Sequence, residues 1–181
     1  MNYPSLPELV LIEDSMDDEF LSLRGINNSG IECNVTVRRH GKGAFDLLQS
    51  NFTPVPSLIV LDFNLPDLSG LEVLREVRRT ERLQCVPVVI LSGRSVGREL
   101  MECYRSGANS CVVKPFDAKE YVDHVALIVC YWPTVNCALN REGPLEKRPT
   151  GSLTASSANL PAPPKKNGVI VSPTWGTTHL G

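Results

Sequence analysis

The sequence predicts an α/β fold, a doubly wound parallel sheet with helices on both faces. Three observations predict it. Four short runs are wholly apolar (Leu9–Ile12, Leu58–Leu61, Val86–Leu91 and Cys111–Val113), as expected for strands buried on both faces. Between them lie segments with apolar residues at helical spacing. The two kinds of segment alternate as five β-α units over about 130 residues, with no other internal repeat. The commonest small arrangement of this kind is the flavodoxin-like (βα)5 sheet, strand order 2-1-3-4-5.

Each element follows from local chemistry. Leu9-Val10-Leu11-Ile12 ends in Glu13-Asp14. Ser15 then starts a helix, with Asp18 three residues on as an approximate capping box. Phe20, Leu21 and Leu23 supply its expected core face, and Gly30 stops it. Cys33–Val37 alternates and is β-branched, a strand expected at a sheet edge. Gly41-Lys42-Gly43 turns into a short helix carrying Ala44, Phe45, Leu47 and Leu48. The Leu58–Leu61 strand ends at Asp62. Past Pro66 and Gly70, the positions Leu71, Leu74 and Val77 mark the next helix. The Val86–Leu91 run ends at Ser92-Gly93. Val96, Leu100, Met101 and Tyr104 form a helix stopped by Gly107. Cys111–Val113 ends at Lys114-Pro115. Tyr121, Val122, Val125, Ile128 and Val129 make the last helix, closed by Pro133.

Half of the fourteen prolines lie from Pro133 onward, among Ser, Thr, Asn and Gly. That stretch has almost no apolar periodicity, so it buries too little surface to offset its ordering entropy. The expected division is a domain over residues 7–133 and a Pro/Ser-rich disordered tail over 134–181, too short and polar for an output domain. The net charge of −2 hides a split: the tail carries +3 and the remainder −5. Nothing in that balance favours nucleic-acid binding. The Lys165-Lys166 pair is expected to solubilise the tail, and Trp175 stands out within it as a short docking anchor. Six irregularly spaced cysteines with no CxxC pair read as reduced thiols, and no secretory signal or bilayer-length apolar run is evident. The protein is therefore expected to be cytoplasmic, without membrane contact. Zinc patterns, a Walker loop and GxGxxG are absent from the sequence.

In folds of this class, ligands bind beyond the carboxyl ends of the strands. There the sequence places Glu13-Asp14, Asp62, Ser92 and Lys114. Each alone is unremarkable: an Asp after a strand is commonly a turn former. Together they are informative, because three ionised carboxylates do not share a site without a cation. Mg²⁺ suits such an oxygen-only set and bridges to phosphate. A carboxylate oxygen of Asp62 can then act as a nucleophile and form an aspartyl phosphate. Lys114 would neutralise phosphoryl oxygens, and the Ser92 hydroxyl would hydrogen-bond one.

The segments Leu11-Ile12-Glu13-Asp14-Ser15, Val60–Pro66, Val89–Gly93, Ser106-Gly107-Ala108-Asn109 and Val113-Lys114-Pro115-Phe116 resemble those of response-regulator receiver domains over residues 7–133. The spacings from Asp62 to Ser92 and to Lys114 agree with chemotaxis-type receivers. Within that family, Asn64-Leu65-Pro66, Gly107-Ala108-Asn109 and the last helix ending in Tyr131-Trp132 resemble single-domain, phytochrome-partnered regulators. The resemblance implies that Asp62 is the phospho-acceptor, that Glu13 and Asp14 hold Mg²⁺ with Asp62, and that the backbone carbonyl of Asn64 completes the shell. It implies Ser92 as hydroxyl switch, Lys114 as phosphoryl contact, a small Gly93 beside the switch and a cis Lys114–Pro115 bond. It implies a sensor histidine kinase, phytochrome-like, as donor, with Asn64 and Arg94 tuning hydrolysis. It also implies a weak homodimer through the fourth helix, fifth strand and fifth helix, with Tyr131 and Trp132 as interface candidates.

One position departs. Receivers usually carry Tyr or Phe three residues before the lysine, and here it is Cys111. The aromatic half of the family switch is thus in question, with Tyr104 as a substitute ring. A haloacid-dehalogenase-type phosphatase is disfavoured, since its general acid would fall at Asn64, which cannot supply a proton, and no cap insertion is present. A degenerate receiver acting only as a scaffold is disfavoured because every site residue is in place.

Overall fold

The computed structural model describes residues 6–50, 54–93, 97–135 and 170–171. Strands β1 (Glu8–Ile12), β2 (Asn34–Arg38), β3 (Leu58–Asp62), β4 (Val88–Ser92) and β5 (Ser110–Val113) alternate with helices α1 (Met16–Asn28), α2 (Gly41–Gln49), α3 (Gly70–Arg79), α4 (Gly97–Arg105) and α5 (Ala118–Tyr131). The strands pair in parallel in the order 5-4-3-1-2, as expected. A sixth strand, β6 (Ile170–Val171), comes from the tail and pairs in parallel with Asn34 and Val35. The strand expected at the edge is therefore covered over two residues.

Period-two alternation divides the buried residues between two faces. Val10, Ile12, Ile59, Leu61, Val88 and Ile90 face α2, α3 and Cys103 of α4. Leu9, Leu11, Leu58, Val60, Val89 and Leu91 face α1 and α5. Val122, Val125 and Val129 are buried as expected, while Tyr131 is exposed and meets Trp132 edge-to-face at 5.1 Å. Trp132 packs partly against the core. The five described cysteines are unpaired. Among the described residues no helix is long and apolar enough to cross a membrane.

Two expectations need correction, that Phe20 faces the core and that the Lys114–Pro115 bond is cis. Phe20 is 64 % exposed. Leu21 and Leu23 pack partly buried against the core as expected, and the fully buried positions of α1 are Ser22, Gly25 and Ile26. α5 approaches so closely that a Cβ on Gly25 would lie 2.7 Å from Val125 Cβ and 2.8 Å from the Val122 carbonyl. A small residue at the helix crossing thus sets how closely the two helices approach. On α4 only Cys103 is buried; Leu100, Met101 and Tyr104 are exposed. The Lys114–Pro115 bond is trans, the isomer favoured for X-Pro amides outside a constraining context. Val96, Arg94, Lys165-Lys166 and Trp175 lie outside the described residues.

Candidate functional site

The four expected rim positions meet because four adjacent parallel strands end at the same edge. Glu13 follows β1 and is fully buried, its amide donating to the Arg38 carbonyl at 2.9 Å. Asp14 beside it is exposed. Asp62 is the last residue of β3 and 5 % exposed. Its Oδ1 accepts from the Asn64 amide at 3.3 Å. Ser92 ends β4, and its carbonyl accepts from the Lys114 amide at 2.8 Å. The register that pairs Asp62 with Leu91 places Ser92 one residue further out.

Behind Asp62 the backbone is tight. Gly70 opens α3, and its amide donates to the Phe63 carbonyl at 2.9 Å. A Cβ there would lie 2.4 Å from the Asp62 carbonyl oxygen and 2.9 Å from Phe63 Cα. α3 closes against the strand end only because position 70 has no side chain. The Ser69–Glu72 capping box fixes where that helix begins.

Glu13, Asp14 and Asp62 each offer a carboxylate oxygen, and these lie within 4.8 Å of one another. A set of hard oxygen donors in a partly buried cluster fits a divalent cation. Lys114 closes the other side. Its Nζ lies 2.8 Å from Glu13 Oε2, 2.8 Å from Asp18 Oδ2 and 3.2 Å from Asp62 Oδ2.

Burial dominates the acid energetics. It pushes Glu13 up to about 7 against the opposing charge and hydrogen bond of Lys114, with Asp62 adding to the rise. Burial raises Asp62 as well, opposed by Lys114 and the Asn64 amide. For Lys114, burial alone would lower the ammonium, but Glu13, Asp18 and Asp62 overcome it and hold it above the usual lysine range. The site thus keeps its cation while its carboxylates are short of neutralising charge.

Cys111 sits half-buried on β5 where the aromatic ring was expected. Its amide donates to the Tyr104 hydroxyl at 3.4 Å, so the exposed ring of Tyr104 lies against β5. Cys111 also lines a small hollow with Phe63, Ser92 and Cys103. Burial holds its thiol up to about 12.

Three residues escaped the sequence reading. The Asp18 amide is capped by Ser15 as expected, but its carboxylate belongs to the Lys114 cluster. Asp67, in the loop after Asp62, accepts from the Gly41 and Lys42 amides at 2.8 and 3.0 Å and caps α2 from a distance. Arg78 donates to the carbonyls of Gly107 and Val86 and to Asn109 Oδ1, fastening the turn before β5. An acid at the third helical position was the one visible signal for Asp18. Nothing local marked the other two.

Comparison with known proteins agrees with this geometry. Residues 10–126 match the response regulator receiver domain family. The chain is 31 % identical over 127 residues to the probable methanogenesis regulatory protein FilR2 of Methanothrix harundinacea, covering 68 % of this chain and 82 % of that one. It is 30 % identical over 128 residues to the response regulator Rcp1 of Synechocystis, covering 68 % and 87 %. The Mn²⁺-bound structure of Rcp1 superposes with a TM-score of 0.66 at 29 % identity, over 73 % of this chain and 98 % of that one. The phosphorylated cyanobacterial phytochrome response regulator RcpA superposes with a TM-score of 0.69 at 26 % identity, over 75 % and 100 %. This chain belongs to the response regulator receiver domain family and is homologous to single-domain regulators such as Rcp1.

Proposed function

We propose that Asp62 accepts a phosphoryl group from the phosphohistidine of a sensor histidine kinase, and that the changed surface then binds a partner. The observation that carries the reading is the position of the Asp62 carboxylate, within 4.8 Å of the Glu13 and Asp14 carboxylates and 3.2 Å from the Lys114 ammonium. In the transfer, a carboxylate oxygen of Asp62 forms a bond to phosphorus as the phosphorus–nitrogen bond to histidine breaks, and the imidazole leaves with the electron pair. Lys114 balances charge on the phosphoryl oxygens. Ser92, at the end of β4, donates to one of them and draws the following segment inward.

Mg²⁺ is the cation we assign to Glu13, Asp14, Asp62 and the Asn64 backbone carbonyl; when bound it neutralises the clustered acids and the incoming phosphoryl charge. We assign the kinase to the phytochrome-like class on the likeness to Rcp1 and RcpA. The chain is a signalling acceptor that catalyses only its own phosphorylation and dephosphorylation, in the cytoplasm. Exposed Met101 and Tyr104 on α4, Val113 on β5 and Tyr131 on α5 support a weak homodimer through that face.

Incubation with acetyl phosphate and Mg²⁺, followed by a phosphate-affinity gel, tests the reading. A shifted band is expected in the native chain and none in Asp62→Asn. A shift that survives Asp62→Asn, or none in the native chain, rejects it.

A further inference from the structure

A lysine ammonium has three N–H bonds, and three carboxylates lie within reach of those of Lys114. Two of these carboxylates, Glu13 and Asp62, belong to the metal-competent cluster. The third, Asp18, does not. Asp18 also behaves unlike an ordinary acid at the third position of a helix. In α3 the equivalent Glu72 returns its carboxylate to the Ser69 amide at 2.8 Å and completes a capping box. In α1 the Ser15 side chain accepts from the Asp18 amide at 3.3 Å, but the Ser15 amide turns to Glu13 Oε1. The Asp18 carboxylate is spent on Lys114 instead.

We propose that Asp18 is a positioning residue: together with Glu13 it anchors Lys114, and it holds the ammonium at the longer distance of 3.2 Å from Asp62. This rests on the phosphoryl-acceptor reading above. Lys114 and a divalent cation compete for the same carboxylates. A cation on Glu13 and Asp62 weakens the hold of Lys114 on both, and a phosphoryl oxygen on Asp62 then needs one of its N–H bonds. Asp18 is the partner that persists through both events. Without it, Lys114 keeps Glu13 and closes onto Asp62 as well, and becomes a stronger internal competitor of the cation.

The test is a Mg²⁺ titration of the full chain followed by amide chemical shifts, with acetyl phosphate labelling alongside. Asp18→Ala is expected to bind Mg²⁺ about tenfold more weakly, the scale of one lost charge-assisted hydrogen bond. Its labelling falls at low Mg²⁺ and returns to the native extent at saturation. Asp18→Asn keeps an acceptor oxygen at the same reach and is expected to lose only about two- to threefold. Ser15→Ala removes the α1 cap without touching Lys114; it lowers the melting temperature and leaves Mg²⁺ affinity unchanged. Native affinity in Asp18→Ala, equal losses in the Ala and Asn variants, or equal losses in Asp18→Ala and Ser15→Ala would each overturn the proposal. So would a labelling defect that excess Mg²⁺ does not restore. A native chain that takes no label rejects the acceptor reading instead, and the Mg²⁺ comparison still decides the anchoring role.

Discussion

Glu13 is the costliest group in the site, and replacing it by Gln exposes that cost. Its carboxyl is fully buried, and burial raises it from 4.5 to about 7. The folded state therefore holds a proton that the unfolded chain has already released across that interval. The associated stability is present below pH 4.5 and is lost as pH rises through 7. At about 1.4 kcal/mol per unit, the shift corresponds to a loss of up to about 3 kcal/mol. Asp62 is raised for the same reason and adds in the same direction. Asp67 and Glu72 titrate below their ordinary values, so they do not interfere above pH 5. Urea unfolding without divalent cations should show the native chain losing stability from pH 5 to pH 8. Glu13→Gln should lose most of that slope, leaving the share due to Asp62. Millimolar Mg²⁺ should flatten the native curve from the alkaline side, since a bound cation favours the ionised form. A native curve flat over this range, or a Glu13→Gln variant with the native slope, refutes the reasoning.

Gly70→Ala should cost about 1–3 kcal/mol by overpacking, because the atoms in its way are the backbone of Asp62 and Phe63. Acetyl phosphate labelling, compared with urea stability, should fall further than the stability loss explains, since the displaced strand end carries Asp62. Arg78→Ala should cost about 2–3 kcal/mol in urea unfolding, with Arg78→Lys recovering only part, because one ammonium cannot reproduce a planar fork to Gly107, Val86 and Asn109. Tyr121→Phe removes the partner 3.1 Å from the buried Ser22 hydroxyl and should cost about 1–2 kcal/mol, while Ser22→Ala in the same background should restore part of it.

Strand order and the rim residues were legible because both depend on patterns along the chain. Runs such as Leu58–Leu61, alternating with helical segments, fit strands buried on both faces of a parallel sheet, and the residue that ends such a run sits at the carboxyl edge. Leu21 and Leu23 were legible as core-facing residues of α1, but its most buried positions were not, since they depend on how closely α5 approaches at Gly25. Asp18 was legible only in part, for a related reason: the Ser15 cap on its amide is present as expected. Its backbone role is local and readable, but its carboxylate is claimed by a lysine 96 residues away. Asp67 capping α2, and Arg78 fastening the Gly107 turn, are likewise contacts between elements that leave no trace in local spacing. Cys111 was recognisable as a departure, whereas the contact of its amide with the Tyr104 hydroxyl needed the packing of α4 on β5.

The central claim is that Asp62, among the clustered acids, carries the phosphoryl group. Reduction of the acetyl phosphate-treated protein with borohydride converts an aspartyl phosphate to homoserine, which peptide mass spectrometry can place. Homoserine at position 62, dependent on Mg²⁺, is the predicted result. Homoserine at position 14 or 18, or at no position in the chain, would contradict the account.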